Sequence, residues 1–333
     1  MSEPAIWPDL ASERLGGRAI LANDEFFAPK ENLLREAAPV FDPSRYTDRG
    51  KWMDGWETRR RRAPGNDWCI VRLGVRGIVR EIVVDTSHFR GNHPESAAVD
   101  AASLEVEPAR WEDGDVEWSE LVPRSSLAGD SAHRFPVSDE GSWTHVRLSI
   151  FPDGGVARLR VHGEVVADWS RIAQETGRRG VEVAAATRGG IVMACSDAFF
   201  GNPDHLLLPD APRGMWDGWE TRRRRGPGHD WVVVRLGRRC RIERLEIDTR
   251  HFKGNHPESA RVEAIDAAGA SADELTAEGA AWTELVPRTR LRPDVAHVLE
   301  PPDPSTAEAT HVRLSIFPDG GVARLRVWGE PLA

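Results

Sequence analysis

The stretch THVRLSIFPDGGVARLRV, residues 144–161, returns letter for letter at 310–327. Val146, Leu148 and Ile150 alternate with Arg147 and Ser149. That period of two belongs to a half-buried strand. Pro152-Asp153-Gly154-Gly155 reads as a turn. Beyond it Leu159 and Val161 alternate with Arg158 and Arg160, so the pattern predicts a β-hairpin with an apolar and a basic face. Working outward, DWCIVRL at 67–73 and EIVV at 81–84 predict further short strands separated by turn signals. Long amphipathic helices are missing, and short helical turns are expected at Pro29–Arg35 and Asp168–Glu175. Short strands every ~8–12 residues with Gly and Pro between them predict an all-β antiparallel sandwich.

The repetition extends to most of the chain. DGWETRRRRAPGNDW at 54–68 returns as DGWETRRRRGPGHDW at 217–231, and HFRGNHPESA at 88–97 returns as HFKGNHPESA at 251–260. Upstream, LANDEFFAPKENLL at 21–34 aligns with ACSDAFFGNPDHLL at 194–207. Between that block and DGWETRRRR the second copy is about ten residues shorter, which suits a loop. The chain is therefore expected to hold two duplicated domains, 1–180 and 181–333, each long enough for its own core. Trp56/Trp219, Trp68/Trp231 and Trp118/Trp282 recur in both. Residues 98–117 and 261–281 have almost nothing in common, whereas the repeated blocks barely differ and are rich in polar letters. A core needs only apolar residues of suitable volume. Retained arginines and histidines point instead to chemistry.

Several function classes drop out. A net charge of −9 disfavours nucleic acid and anionic membranes as partners. No apolar run is long enough to span a bilayer, and the N-terminus lacks the apolar stretch of a leader peptide. Three cysteines without a C-x-x-C spacing suit a reducing, cytoplasmic setting. GxGxxG, Walker, H-E-x-x-H and G-x-S-x-G motifs are absent.

Two blocks carry the candidate chemistry. In DGWETRRRR, four consecutive arginines on an extended strand would alternate between faces, and a lone charge run of this kind is ordinarily a solvated surface. Its recurrence in an acidic protein raises the reading that guanidinium forks bind a carboxylate. Partners within the block are Asp54, Glu57 and Asp67. In DTSHFRGNHP, Gly91-Asn92 reads as a turn with positive φ flanked by His88 and His93, and Asp85 is placed to orient a ring. Asp248, His251, Asn255 and His256 repeat the set. A turn with one core histidine is the plain reading; imidazoles for proton transfer are the functional one. A zinc site lacks an obvious third and fourth ligand. No motif requires a cofactor, a divalent metal stays open, and Asp24, Glu25 and Asp197 are candidates for a structural cation.

These blocks together, DGWETRRRR-PG-DW, DT-HF-GNHPES and HVRLSIFPDGGVARLRV, resemble the allantoicase family over nearly the whole chain and in both copies. The resemblance implies tandem jelly-roll domains of the galactose-binding-like type, and hydrolysis of allantoate to ureidoglycolate and urea in allantoin degradation. Allantoate carries one carboxylate and two ureido groups on one carbon. Such a substrate needs a cationic clamp and a proton for the departing urea. The expected proton-transfer residues are His88 or His251 with Glu57 or Glu220. Arg59 and Arg60, and Arg222 and Arg223, would hold the carboxylate, with Asp54, Asn92, His93, Asp217, Asn255 and His256 lining the site. A homo-oligomer is expected on general grounds. The competing readings are a non-catalytic tandem sugar- or anion-binding module and an oligomeric scaffold.

Overall fold

The computed structural model describes residues 7–111, 116–176, 180–302 and 308–332. The chain divides into two compact units, Met1–Val166 and Ala167–Ala333. Both are built from antiparallel strands, as the all-β reading requires. The helical content is slight: the expected turn near Pro29 is a 3-10 helix at Lys30–Leu34, and the one near Asp168 is an α-helix at Trp169–Thr176. Among the described residues, no helix is long and apolar enough to cross a membrane.

In the first unit one strand organises the rest. DWCIVRL and EIVV are not two strands but parts of a single one, Asp67–Asp85. The glycines between them look like turn signals, yet they mark a register shift between Arg72 and Gly77 where the strand passes from one set of partners to the other. A Cβ on Gly74 would lie 2.5 Å from the Leu15 backbone, so glycine is there for a close approach of two chain segments. The N-terminal half of the strand pairs with Arg18–Ala22 and Ser142–Phe151. Its C-terminal half pairs with Arg158–Val165 and Ala132–Pro136. The strand thus serves both layers of a jelly roll, and Cys69, Val71, Ile82, Val84, Leu148, Ile150, Leu159 and Val161 fill the space between. The second unit repeats the plan with Asp230–Asp248 at its centre.

The hairpin expected over 144–161 does not form. Ser142–Phe151 and Arg158–Val165 are both strands, but they pair with opposite halves of Asp67–Asp85 and not with each other. Alternation reports which residues face a core; it carries no information about which strand lies alongside. The intervening Pro152–Ala157 segment crosses between layers and lays Gly155–Val156 against Trp56–Glu57. The expected basic face is also divided: Arg158 is buried, while Arg147 lies over the Trp118 ring and pairs with Asp100.

Candidate functional site

The three repeated blocks meet at one place. Trp56 and Glu57 form a two-residue strand, pinned on one side by Gly155–Val156 and on the other by Ala28. Alternation sends Trp56 into the core, where its indole N–H donates to the Asp24 carbonyl at 2.8 Å. Glu57 turns the other way. Opposite it, the Gly155 N–H donates to the Asn92 carbonyl at 2.7 Å, tying the GNHP loop to the same spot. Gly154 adopts φ 137°, and a Cβ on Gly155 would lie 2.0 Å from the Phe89 ring. Both glycines are therefore dictated by geometry at the site. From this loop the Asn92 amide donates to Glu57 Oε1 at 2.7 Å.

Glu57, Asn92 and His88 line a cavity of about 460 Å3 with Phe27, Phe41, Lys51, Met53, Arg90 and Gly91. Burial pushes the Glu57 carboxyl above its ordinary range, and the Asn92 hydrogen bond only partly opposes this. His88 has φ 70°, a left-handed conformation uncommon for a side-chain-bearing residue, so the positive φ expected at Gly91 falls on the histidine instead. Its backbone N–H donates to Asp130 Oδ1 at 2.8 Å, which holds the bend. Its ring lies on Phe41 with centroids 5.8 Å apart. Nε2 sits 3.1 Å from the Pro39 carbonyl, which only an N–H can satisfy, so Nε2 carries a proton and Nδ1 is the acceptor in the neutral ring. Asp85 does not orient the ring; its carboxylate caps the Ser87 N–H.

The second unit reproduces the cluster. Asn255 donates to Glu220 Oε1, the Gly321 N–H donates to the Asn255 carbonyl at 2.8 Å, and His251 at φ 71° donates from Nε2 to Pro212.

The remaining expected residues take other places. Asp54 and Asp217 are buried and hold buried arginines: Arg158 reaches Asp54 Oδ2 at 2.8 Å, and Arg324 reaches Asp217 Oδ2 at 3.1 Å. His93 Nδ1 bonds the Arg90 carbonyl at 2.9 Å, and His256 lies at the equivalent turn. The arginine run follows the short strand and is not itself a strand, so the inward-pointing pair expected from alternation is not formed. Arg59 is exposed, pairs with Asp24 at 2.6 Å and lies over Phe26. Arg60 is exposed, and neither residue lines the Glu57 cavity. Arg222 pairs with Asp197, and with Arg223 it borders a separate recess of about 340 Å3. Asp24 and Asp197 are thus committed to arginines, and Glu25 to Lys30. Among the described residues no three His, Cys, Asp or Glu side chains gather as metal ligands.

Lys51, Phe41 and Arg90 escaped the sequence reading. For Lys51 and Phe41 the available signal was the ten-residue excess of the first copy just before DGWETRRRR, which reads as loop because it has no periodicity, whereas Arg90 lies within the repeated HFRGNHPESA block.

Comparison with known proteins gives the family and the fold. The model of the family described as "Allantoicase repeat" matches residues 8–166 and again 181–332. A Pseudomonas aeruginosa protein named "Probable allantoicase" is 46% identical over 324 residues, covering 97% of this chain and 96% of its own. A Burkholderia pseudomallei protein named "Probable allantoicase 2" is likewise 46% identical, covering 97% and 94%. The crystal structure of allantoicase from Saccharomyces cerevisiae superposes with a TM-score of 0.83 at 35% identity, over 98% of this chain and 93% of that one. With the three blocks converging in both units and the likeness running end to end, the chain belongs to the allantoicase family.

Proposed function

We propose that the chain hydrolyses allantoate to ureidoglycolate and urea at the cavity around Glu57. In this reaction the bond between the central carbon and one ureido nitrogen breaks, water supplies the new C–O bond, and the departing nitrogen takes a proton. The observation that carries the assignment is the half-buried Glu57 carboxyl facing the cavity, its affinity for a proton raised by burial and its orientation fixed by Asn92. Such a group donates a proton to a leaving nitrogen and, once ionised, accepts one from the attacking water. His88 lines the same cavity and in its neutral form offers Nδ1 as a second acceptor. Glu220, Asn255 and His251 form the same constellation in the second repeat.

The test is urea release from allantoate by the full chain and by Glu57→Gln. Glutamine keeps the Asn92 contact but removes the titrating proton, so kcat is expected to fall by about 10²–10⁴-fold. A Glu57→Gln enzyme within a few-fold of wild type would remove Glu57 from the proposal.

Three free cysteines, two of them buried, support a reducing cytoplasm as the setting. The homo-oligomer is read by light scattering on the eluting protein, where a mass of one chain would overturn it.

A further inference from the structure

The two repeats differ where the cavity is covered. Two anchors fix the correspondence: Pro39 and Pro212 accept from the equivalent histidines, and Asp54 and Asp217 hold the equivalent buried arginines. Between these anchors the first repeat has residues 40–53, and the second has only 213–216. The extra chain folds into a small antiparallel hairpin, Tyr46–Thr47 with Gly50–Lys51. The Arg45 guanidinium lies 4.0 Å over Trp52, and Arg49 donates to the Phe26 carbonyl at 2.7 Å, fastening the hairpin at both ends. Phe41, Lys51 and Met53, all from this segment, line the cavity with Glu57, Asn92 and His88.

Lys51 is the cation of interest. Its ammonium donates to the Pro43 carbonyl at 2.8 Å and lies 4.9 Å from the Phe41 ring and 5.0 Å from the Tyr46 ring. An ammonium has three donors, and one carbonyl uses one of them. Among the described residues no carboxylate lies within ion-pair distance of it. The other cation lining the cavity, Arg90, is spent on Asp130 at 3.0 Å. Asp42, whose carboxylate is already engaged by Ser44, acts on Lys51 only from beyond contact distance. The cavity therefore presents one positive charge with no carboxylate in direct contact, and the proposed substrate brings one carboxylate.

We infer that Lys51 binds the substrate carboxylate and that the first repeat, which alone carries the hairpin supplying it, holds the productive site. This rests on the allantoate reading above. The second repeat keeps the Glu–Asn–His cluster but has no residue corresponding to Lys51. Each chain then turns over allantoate at one site.

The experiment uses the full chain with Lys51→Met and Lys51→Arg, assayed for urea release from allantoate and from its uncharged methyl ester. Lys51→Met is expected to lower kcat/KM for allantoate by about 30-fold or more, chiefly through KM, while the ester changes by less than about threefold. Lys51→Arg should recover part of the loss. Calorimetric titration of Glu57→Gln with allantoate should give one site per chain. Lys51→Met retaining half or more of the activity would overturn the inference, because a second, independent site would then be working. Equal losses on acid and ester would also overturn it, since that is what a collapsed hairpin produces. A wild-type chain that releases no urea from allantoate would instead sink the substrate reading itself.

Discussion

Removing the Asp54 carboxylate should damage stability and activity together. Asp54 and Arg158 are both buried, and the guanidinium donates to the Ala37, Asp54 and Ala157 carbonyls and to Asp54 Oδ2. Asp54 also accepts from Arg35 and the Val40 N–H. Burial works to raise the Asp54 carboxyl, but Arg158, Val40 and Arg35 outweigh it and hold the group below the usual range. Asp54→Ala leaves the Arg158 charge buried without its counter-ion, which costs about 3–5 kcal/mol. For a unit of this size about 1 kcal/mol moves Tm by roughly 2–4 °C, so its transition should fall by roughly 6–20 °C. The segment that carries Phe41 and Lys51 starts at the Val40 N–H held by Asp54, so kcat/KM should fall even well below the new Tm. Differential scanning calorimetry follows the unfolding, and urea release at ~15 °C follows the site. The paired variant Asp54→Leu with Arg158→Met removes both charges and should regain much of the stability without regaining activity. A shift below about 3 °C for Asp54→Ala would refute the reasoning, because the pair would then be no more than a solvated surface contact.

Gly155→Ala should place a methyl group 2.0 Å from the Phe89 ring, overpacking the point where the three blocks meet. A cost of about 1–3 kcal/mol is expected in thermal melts, with lost activity because Glu57 pairs with Gly155 and Asn92 is tied to it. In the second unit, burial and then Arg235 push His311 from 6.5 down to about 4. The folded state therefore binds fewer protons than the unfolded one between those values. Its stability contribution is complete above pH ~6.5 and is lost as pH falls toward ~4, amounting to ~3 kcal/mol. His311→Leu should flatten the Tm–pH curve in that window, and an unchanged slope would contradict the assignment.

Much of this protein can be read directly from its residues. Covalent sequence carries period, duplication and invariant polar letters, so the all-β class, the two repeats and the identity of Glu57, Asn92 and His88 as site candidates follow without coordinates. Their proximity does not. Glu57 and Asn92 are 35 positions apart and meet because Gly155, from a third block, hydrogen-bonds the loop of one and pairs with the strand of the other. The arginine run misled because charge type says what a group can bind but not what already occupies it. Only folding shows that Arg59 is held by Asp24 and that Asp54 holds Arg158. The single long strand and the missing hairpin have the same origin: alternation sets the face of a residue, while strand partners are chosen by long-range packing. Lys51 lies in an aperiodic insertion that looks like surface loop, and tertiary structure alone turns it toward the cavity. Local interactions fix what each segment is, and the long-range ones that bring distant segments together decide which side chains face the substrate.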